Sequence, residues 1–111
     1  MKMTYLITSD MIGHQDVELG KKLMNSFCRT LVEADNLPTH LLFMERGVHL
    51  LTDGFLAVDA LKYLEDKGII LLACGTCLDY YGLRDHLVTG QVSSMTEILK
   101  VMHETDKVIK L

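Results

Sequence analysis

Gly68-Ile69-Ile70-Leu71-Leu72-Ala73-Cys74-Gly75-Thr76-Cys77 sets the terms for the rest of the chain. From Ile69 to Ala73 every side chain is apolar. A strand without a polar face must be covered on both sides, as in a parallel sheet sandwiched between helices. Gly68 reads as the cap of a preceding helix, with Lys67 in its last turn. Two cysteines follow the strand at once, and the carboxyl ends of strands are where open parallel sheets carry their functional loops.

The same pattern recurs on either side. Tyr5-Leu6-Ile7-Thr8 and Leu41-Leu42-Phe43-Met44 read as further buried strands, Gln91-Val92 as weakly extended, and Asp106 to Leu111 as a last strand. Between them the period changes to that of a helix. An apolar stripe runs through Val17, Leu19-Gly20, Leu23-Met24, Phe27-Cys28 and Leu31-Val32. Asp16 is its expected N-cap, Glu18 suits its first turn, and Pro38 predicts an end near Asn36. Thr52 or Asp53 is expected to open a second helix, with Leu56, Ala57, Ala60, Leu61 and Leu64 inward. Val48 to Leu51 reads as a short extended piece or a loop. Leu78 to Tyr81 suits a short helix ended by Gly82, and Leu83 to Leu87 another turn or two. Ser94, with Glu97 three residues on, forms the capping-box pattern of a last helix whose inward residues are Ile98, Leu99, Val101 and Met102. Strand and helix alternate throughout, which predicts an α/β fold with right-handed crossovers.

The chain has 111 residues, enough for one domain with its own core. Its formal charge is −4, and no Lys/Arg cluster offers the basic face that nucleic acid requires. No apolar run nears the roughly 18 residues of a membrane span. The amino terminus lacks the apolar core of a signal peptide and reaches Asp10 early. These features predict a cytoplasmic protein. Three cysteines in a reducing compartment argue against a disulfide framework and leave Cys74 and Cys77 for reactive chemistry, metal binding or packing.

Reactivity has a local physical basis. Cys74 is expected at a strand end just before a helix, where free backbone N–H groups and the helix dipole favour a thiolate. Gly75 permits close backbone approach, Thr76 can cap, and Cys77 falls in the first helical turn, near enough to resolve a disulfide or persulfide. Ser9, Asp10 and Gly13, in the polar loop after the first strand, are the other candidate binding residues. They meet the cysteines if the first and third strands are neighbours. Zinc would need three or four ligands, and neither a second CxxC nor a paired-histidine motif supplies them. Packing could account for one cysteine of the pair, and it is the expected role of Cys28. His14 and His86 could assist a thiolate or be plain solvated histidines, and Tyr80 and Tyr81 could flank the site or pack. A thioredoxin-like dithiol role lacks the proline that would follow the motif, because the only proline is Pro38. No metal or cofactor is expected.

Taken together, Ile7-Thr8-Ser9-Asp10, Asp16 to Met24, Gly47-Val48, Cys74 to Leu83 and Gly90-Gln91-Val92 resemble the DsrE-like sulfur-relay family, and within it the YedF type of domain associated with selenium metabolism. The resemblance implies a three-layer α/β sandwich with a mainly parallel five-stranded sheet and helices on both faces, flavodoxin-like in general layout. It implies a single DsrE-like domain over residues 1–111. It further implies a sulfurtransferase-like persulfide carrier, a homo-oligomer, and a sulfur-donor partner such as a cysteine desulfurase or a SirA-like carrier. In relatives the acting cysteine stands eight residues before a glycine, and Gly82 minus eight is Cys74. There are departures. No Cys-Pro-x-Pro motif of a SirA-like domain is present. Gln15 stands where a glycine is expected. Glu45 and Ser94 stand where asparagines are expected. The competing reading is a non-enzymatic oligomeric or redox-regulatory module in which CGTC is structural.

Overall fold

The three apolar runs become the three central strands of one sheet. In the computed structural model, which describes residues 1–111, the chain runs β1 (Met3–Ile7), α1 (Val17–Leu31), β2 (His40–Phe43), a 3₁₀ stretch (Glu45–Leu51), α2 (Val58–Asp66), β3 (Ile70–Cys74), α3 (Gly75–Tyr81), a second 3₁₀ turn (Arg84–His86), β4 (Gln91–Ser93), α4 (Met95–Glu104) and β5 (Lys107–Lys110). All four strand pairings are parallel, in the order β4-β3-β2-β1-β5. The general layout is the expected α/β sandwich, and its sheet is parallel throughout.

The strand order fixes the layers. The steps β1 to β2, β2 to β3 and β3 to β4 all move the same way across the sheet, so right-handed crossovers put α1, α2 and α3 on one face. The return from β4 to β5 moves the opposite way and puts α4 alone on the other. The two cores are correspondingly unequal. Ile7, Leu41, Phe43, Leu71 and Ala73 join Met24, Cys28, Leu61, Leu64 and Leu78 in a cluster of 17 buried residues. The opposite face holds a cluster of four, namely Leu42, Leu72, Cys74 and Ile98. The alternation along each strand explains the uniform apolarity, because Leu71 faces one cluster and Leu72 the other.

The expected caps form. The Asp16 carboxylate accepts the Leu19 N–H at 3.1 Å, and the Ser94 hydroxyl accepts the Glu97 N–H at 3.2 Å. Gly82 ends α3 in the left-handed conformation, at φ 66°.

Several boundaries differ from the expectation. α1 stops at Leu31, before Pro38 can act. The segment from Glu33 to Asn36 offers only Ala34 to bury, and the Glu33 and Ala34 N–H groups close the helix with tight bonds to Thr30 and Leu31. α2 begins at Val58, not at Thr52 or Asp53, because isolated turns from Thr52 to Phe55 and Phe55 to Val58 come first. Leu56, expected inward, is therefore exposed, and so is Leu99 on α4. Val48 to Leu51 is neither extended nor a loop. It is 3₁₀ helix, with Val48, Leu50 and Leu51 in the core.

Gly47 is what lets that stretch seat itself. A Cβ at this position would overlap the Ile7 carbonyl oxygen at the end of β1. Both partners are backbone, so no side-chain rotation relieves the clash. Gly47→Ala is expected to cost about 2–3 kcal/mol of stability in urea unfolding. A midpoint unchanged from the native protein would refute this packing.

Candidate thiol site at the carboxyl edge of the sheet

β3 hands the chain to α3 on one face, and its neighbour β4 hands it to α4 on the other. Where adjacent strands send their connections to opposite faces, a crevice opens at their carboxyl ends. Cys74 is the last residue of β3, and Ser93 pairs with it as the last residue of β4. The crevice therefore falls on the CGTC turn.

Cys74, Gly75, Thr76 and Cys77 occupy the cap and first turn of α3. Cys74 is the N-cap residue, without a side-chain capping bond, and Thr76 is exposed rather than capping. The Cys74 side chain points under α4, where Leu42, Leu72 and Ile98 leave the residue 4% exposed. Cys77 is half-buried and packs against both cores. All three cysteines are free thiols.

Two further groups meet this turn. The Glu45 N–H donates to Cys77 Sγ at 3.2 Å. Glu45 has φ 53°, the one non-glycine residue of the chain with positive φ, and a side chain in that region is strained by roughly 1–2 kcal/mol. The strained backbone aims its N–H at sulfur. On the other side lies Arg84. Its guanidinium is held by Asp79 through bonds of 2.7 and 3.0 Å, and those bonds keep the Asp79 carboxyl below the usual carboxylate range. A Cβ at Gly75 would lie 3.0 Å from Arg84 Nη2 and 3.1 Å from the Ser93 carbonyl oxygen. Gly75 thus lets α3, Arg84 and the end of β4 close together.

The remaining candidates lie farther along the edge. β1 and β3 are not neighbours, since β2 separates them, so the loop after β1 does not meet CGTC directly. The neighbour of CGTC is the 3₁₀ stretch after β2. Asp10 reaches this region through Arg46, which bonds it at 3.2 and 3.4 Å and lies 5.9 Å over the Tyr81 ring. The Ser9 hydroxyl accepts the Met11 N–H within its own loop. Gly13 takes φ 86° on the exposed part of that loop, and Gln15 keeps an ordinary negative φ, so glycine's absence there carries no backbone penalty. His14 and His86 are exposed.

Sequence reasoning missed Arg84 and named Glu45 only as a departure from the family pattern, not as a contact of Cys77. Glu45 acts through its backbone, which no side chain advertises. Arg84 had a signal, since Asp79 and Arg84 bracket the Gly82 turn that folds one back on the other.

The thiols differ electrostatically. Burial pushes the Cys28 thiol up to about 12, which suits the packing role expected of it. Burial also raises Cys77, partly offset by the Glu45 N–H and reinforced by the neighbouring Cys74.

The whole chain, residues 1–111, matches the DsrE/DsrF-like family. The chain belongs to that family. The structure of the YchN protein of E. coli superposes with a TM-score of 0.74 at 18% identity, covering 100% of both chains. A protein of unknown function from Methanobacterium thermoautotrophicum superposes with a TM-score of 0.70 at 20% identity, covering 99% of this chain and 98% of that one. A conserved protein of unknown function from Bacteroides thetaiotaomicron gives 0.68 at 14%, covering 99% and 94%. At these identities the likeness establishes the fold of this DsrE/DsrF-like chain. No curated relative matches it. No helix is long and apolar enough to cross a membrane.

Exposure and thiol chemistry together order the cysteines of this family member. In the folded protein, iodoacetamide is expected to modify Cys77 first, Cys74 more slowly, and Cys28 only on unfolding. Because burial raises the Cys77 thiol above its ordinary range, its rate should still be rising at alkaline pH where a free thiol has levelled off, since only the thiolate reacts. Peptide mass mapping against time and pH checks this. Cys28 modified as fast as Cys77 would contradict it.

Proposed function

We propose that the protein is a persulfide carrier of sulfur relay, with Cys77 and Cys74 as its working pair. The observation that carries this reading is the placement of two free thiols in the switch crevice, with the Glu45 N–H bonded to Cys77 Sγ. A persulfide sulfur is anionic near neutral pH and benefits from a fixed N–H donor.

Cys77, the more accessible thiol, receives the sulfur. Its thiolate attacks the outer sulfur of a persulfide on a donor protein. A new S–S bond forms on Cys77, the donor's S–S bond breaks, and the donor departs as a thiolate. An acceptor thiolate then takes the outer sulfur by the same displacement. In a second exit, Cys74 attacks the inner sulfur. The Cys74–Cys77 disulfide forms, hydrosulfide leaves, and a dithiol reductant restores the pair. A donor of the cysteine desulfurase or SirA-like class fits this chemistry, as does a reducing cytoplasm. Selenium in the donor persulfide would follow the same displacement, which is how the YedF-like resemblance bears on the reading. The burial of Cys74 favours the competing role of a redox-regulatory module, in which the pair closes and opens without carrying sulfur.

Homo-oligomerisation belongs to the same proposal. Face two of the sheet has α4 as its only helix, and Ile70, Val108, Met95 and Leu99 are large apolar side chains left exposed there. A second copy would cover them. Light scattering at micromolar concentration is expected to show an oligomer that Leu99→Glu weakens. A native monomer would refute it.

The carrier itself is tested by intact mass. Reduced protein incubated with a cysteine desulfurase and cysteine should gain one sulfur atom, and Cys77→Ser should gain none. Loss only in Cys74→Ser keeps the carrier and moves the acceptor to Cys74, the position the family register favours. No gain with any persulfide donor, together with a readily formed disulfide, selects the redox module.

A further inference from the structure

A cavity of about 390 Å³ opens between α1, the loop after β1 and the segment from His49 to Leu56. That volume lies in the range of small-molecule sites. We propose that it binds a free α-amino acid with an apolar side chain.

The lining carries three chemistries. Lys21 and Asn25 stand four residues apart on α1, hence on one face of the helix. Lys21 takes part in none of the chain's four ion pairs. It is a free cation at the rim. The remaining polar side chains can each accept, and Asn25 also carries N–H donors. Asn25 Oδ1 is buried with no hydrogen-bond partner, and the residue lines the cavity. The Asp10 carboxylate receives Arg46 and keeps lone pairs to spare. Thr52 donates its proton to the His49 carbonyl at 2.7 Å, so its oxygen can only accept another. His49 Nδ1 faces the Arg46 carbonyl at 3.2 Å and must carry the proton, which leaves Nε2 an acceptor in the neutral ring. Leu50, Phe55 and Leu56 supply the apolar wall.

A cluster of acceptors with one free cation calls for a ligand that carries both a donor-rich cation and an anion. A carboxylate alone leaves Asn25 Oδ1 unpaired, and an amine alone leaves Lys21 unanswered. A sugar matches neither charge and wastes the apolar wall. The α-amino acid meets all three, with its ammonium toward Asp10 and Asn25, its carboxylate toward Lys21, and its side chain on Phe55 and Leu56. The site stands apart from the cysteines, yet not isolated from them. The His49 ring packs edge-on against Tyr81 of α3, with centroids 4.5 Å apart.

The test is a ¹H–¹⁵N NMR titration with three probes. L-leucine carries both charges, L-leucinamide lacks the carboxylate, and N-acetyl-L-leucine lacks the ammonium. L-leucine should give saturable shifts at the amides of Lys21, Asn25, His49 and Thr52, and each truncated probe should bind about tenfold more weakly or worse. Lys21 is exposed, so Lys21→Met should keep the native spectrum. That variant should lose the preference for L-leucine over L-leucinamide while still disfavouring N-acetyl-L-leucine. The double variant Cys74→Ser, Cys77→Ser should bind L-leucine as the native protein does, so the result is independent of the carrier reading. No saturable shift at millimolar L-leucine would overturn the proposal. So would a truncated probe that binds as tightly, or a Lys21→Met variant that keeps the full preference.

Discussion

The fold depends on the single reversal of direction after β4. Three strands laid down in sequence commit three helices to one face, because right-handed crossovers leave no other choice. The last crossover must then return over the opposite face to place β5 beside β1. From this constraint follow the unequal cores, the crevice between β3 and β4, and the position of the CGTC turn in it. The thiols need no special architecture of their own. They stand where the sheet changes hands.

Around them the groups that matter are mostly backbone. Glu45 contributes an N–H from a strained position, Ser93 a carbonyl, and Gly75 an absence of side chain. Arg84 is the exception, and it is held in place by Asp79 rather than by the core. Such a site is set by the meeting of three segments, namely the end of β3, the end of β4 and the start of the 3₁₀ stretch. Gly47 seats the last of these against β1, two residues along the chain from the Glu45 N–H.

How much of this could be seen in the residues varied with the range of the forces involved. Local features were legible. Asp16 and Ser94 cap as their types suggest, Gly82 ends its helix, and the apolar runs are buried strands. Cys74 at a strand end and Cys77 in the following turn could be placed for the same reason. What escaped was set by packing across the chain. The start of α2 depends on turns that hold Phe55 and Ala57 to the core, and Leu56 lies outside because of them. Leu99 matches the helical period but faces the side of α4 away from the sheet's one small core. The order of the strands separated the Ser9 to Asp16 loop from CGTC, and no local pattern encodes that order. The hydrogen bond from Glu45 to Cys77 spans 32 residues and uses a backbone group, so it leaves no trace in residue type.

The lone helix on the second face has a kinetic meaning. Opening free energy scales with the apolar surface an element must release, and α4 holds one fully buried residue, Ile98, packed with the other three members of the small cluster. It is thus the layer that detaches at least cost, while the larger core stays intact. Cys74 lies beneath it. Access to that thiol is governed by the breathing of one ten-residue helix, a local equilibrium that a docking partner could tilt by contacting α4 alone. The protein can keep the Cys74 thiol dry when isolated and expose it on contact, with no change in the sheet that carries it.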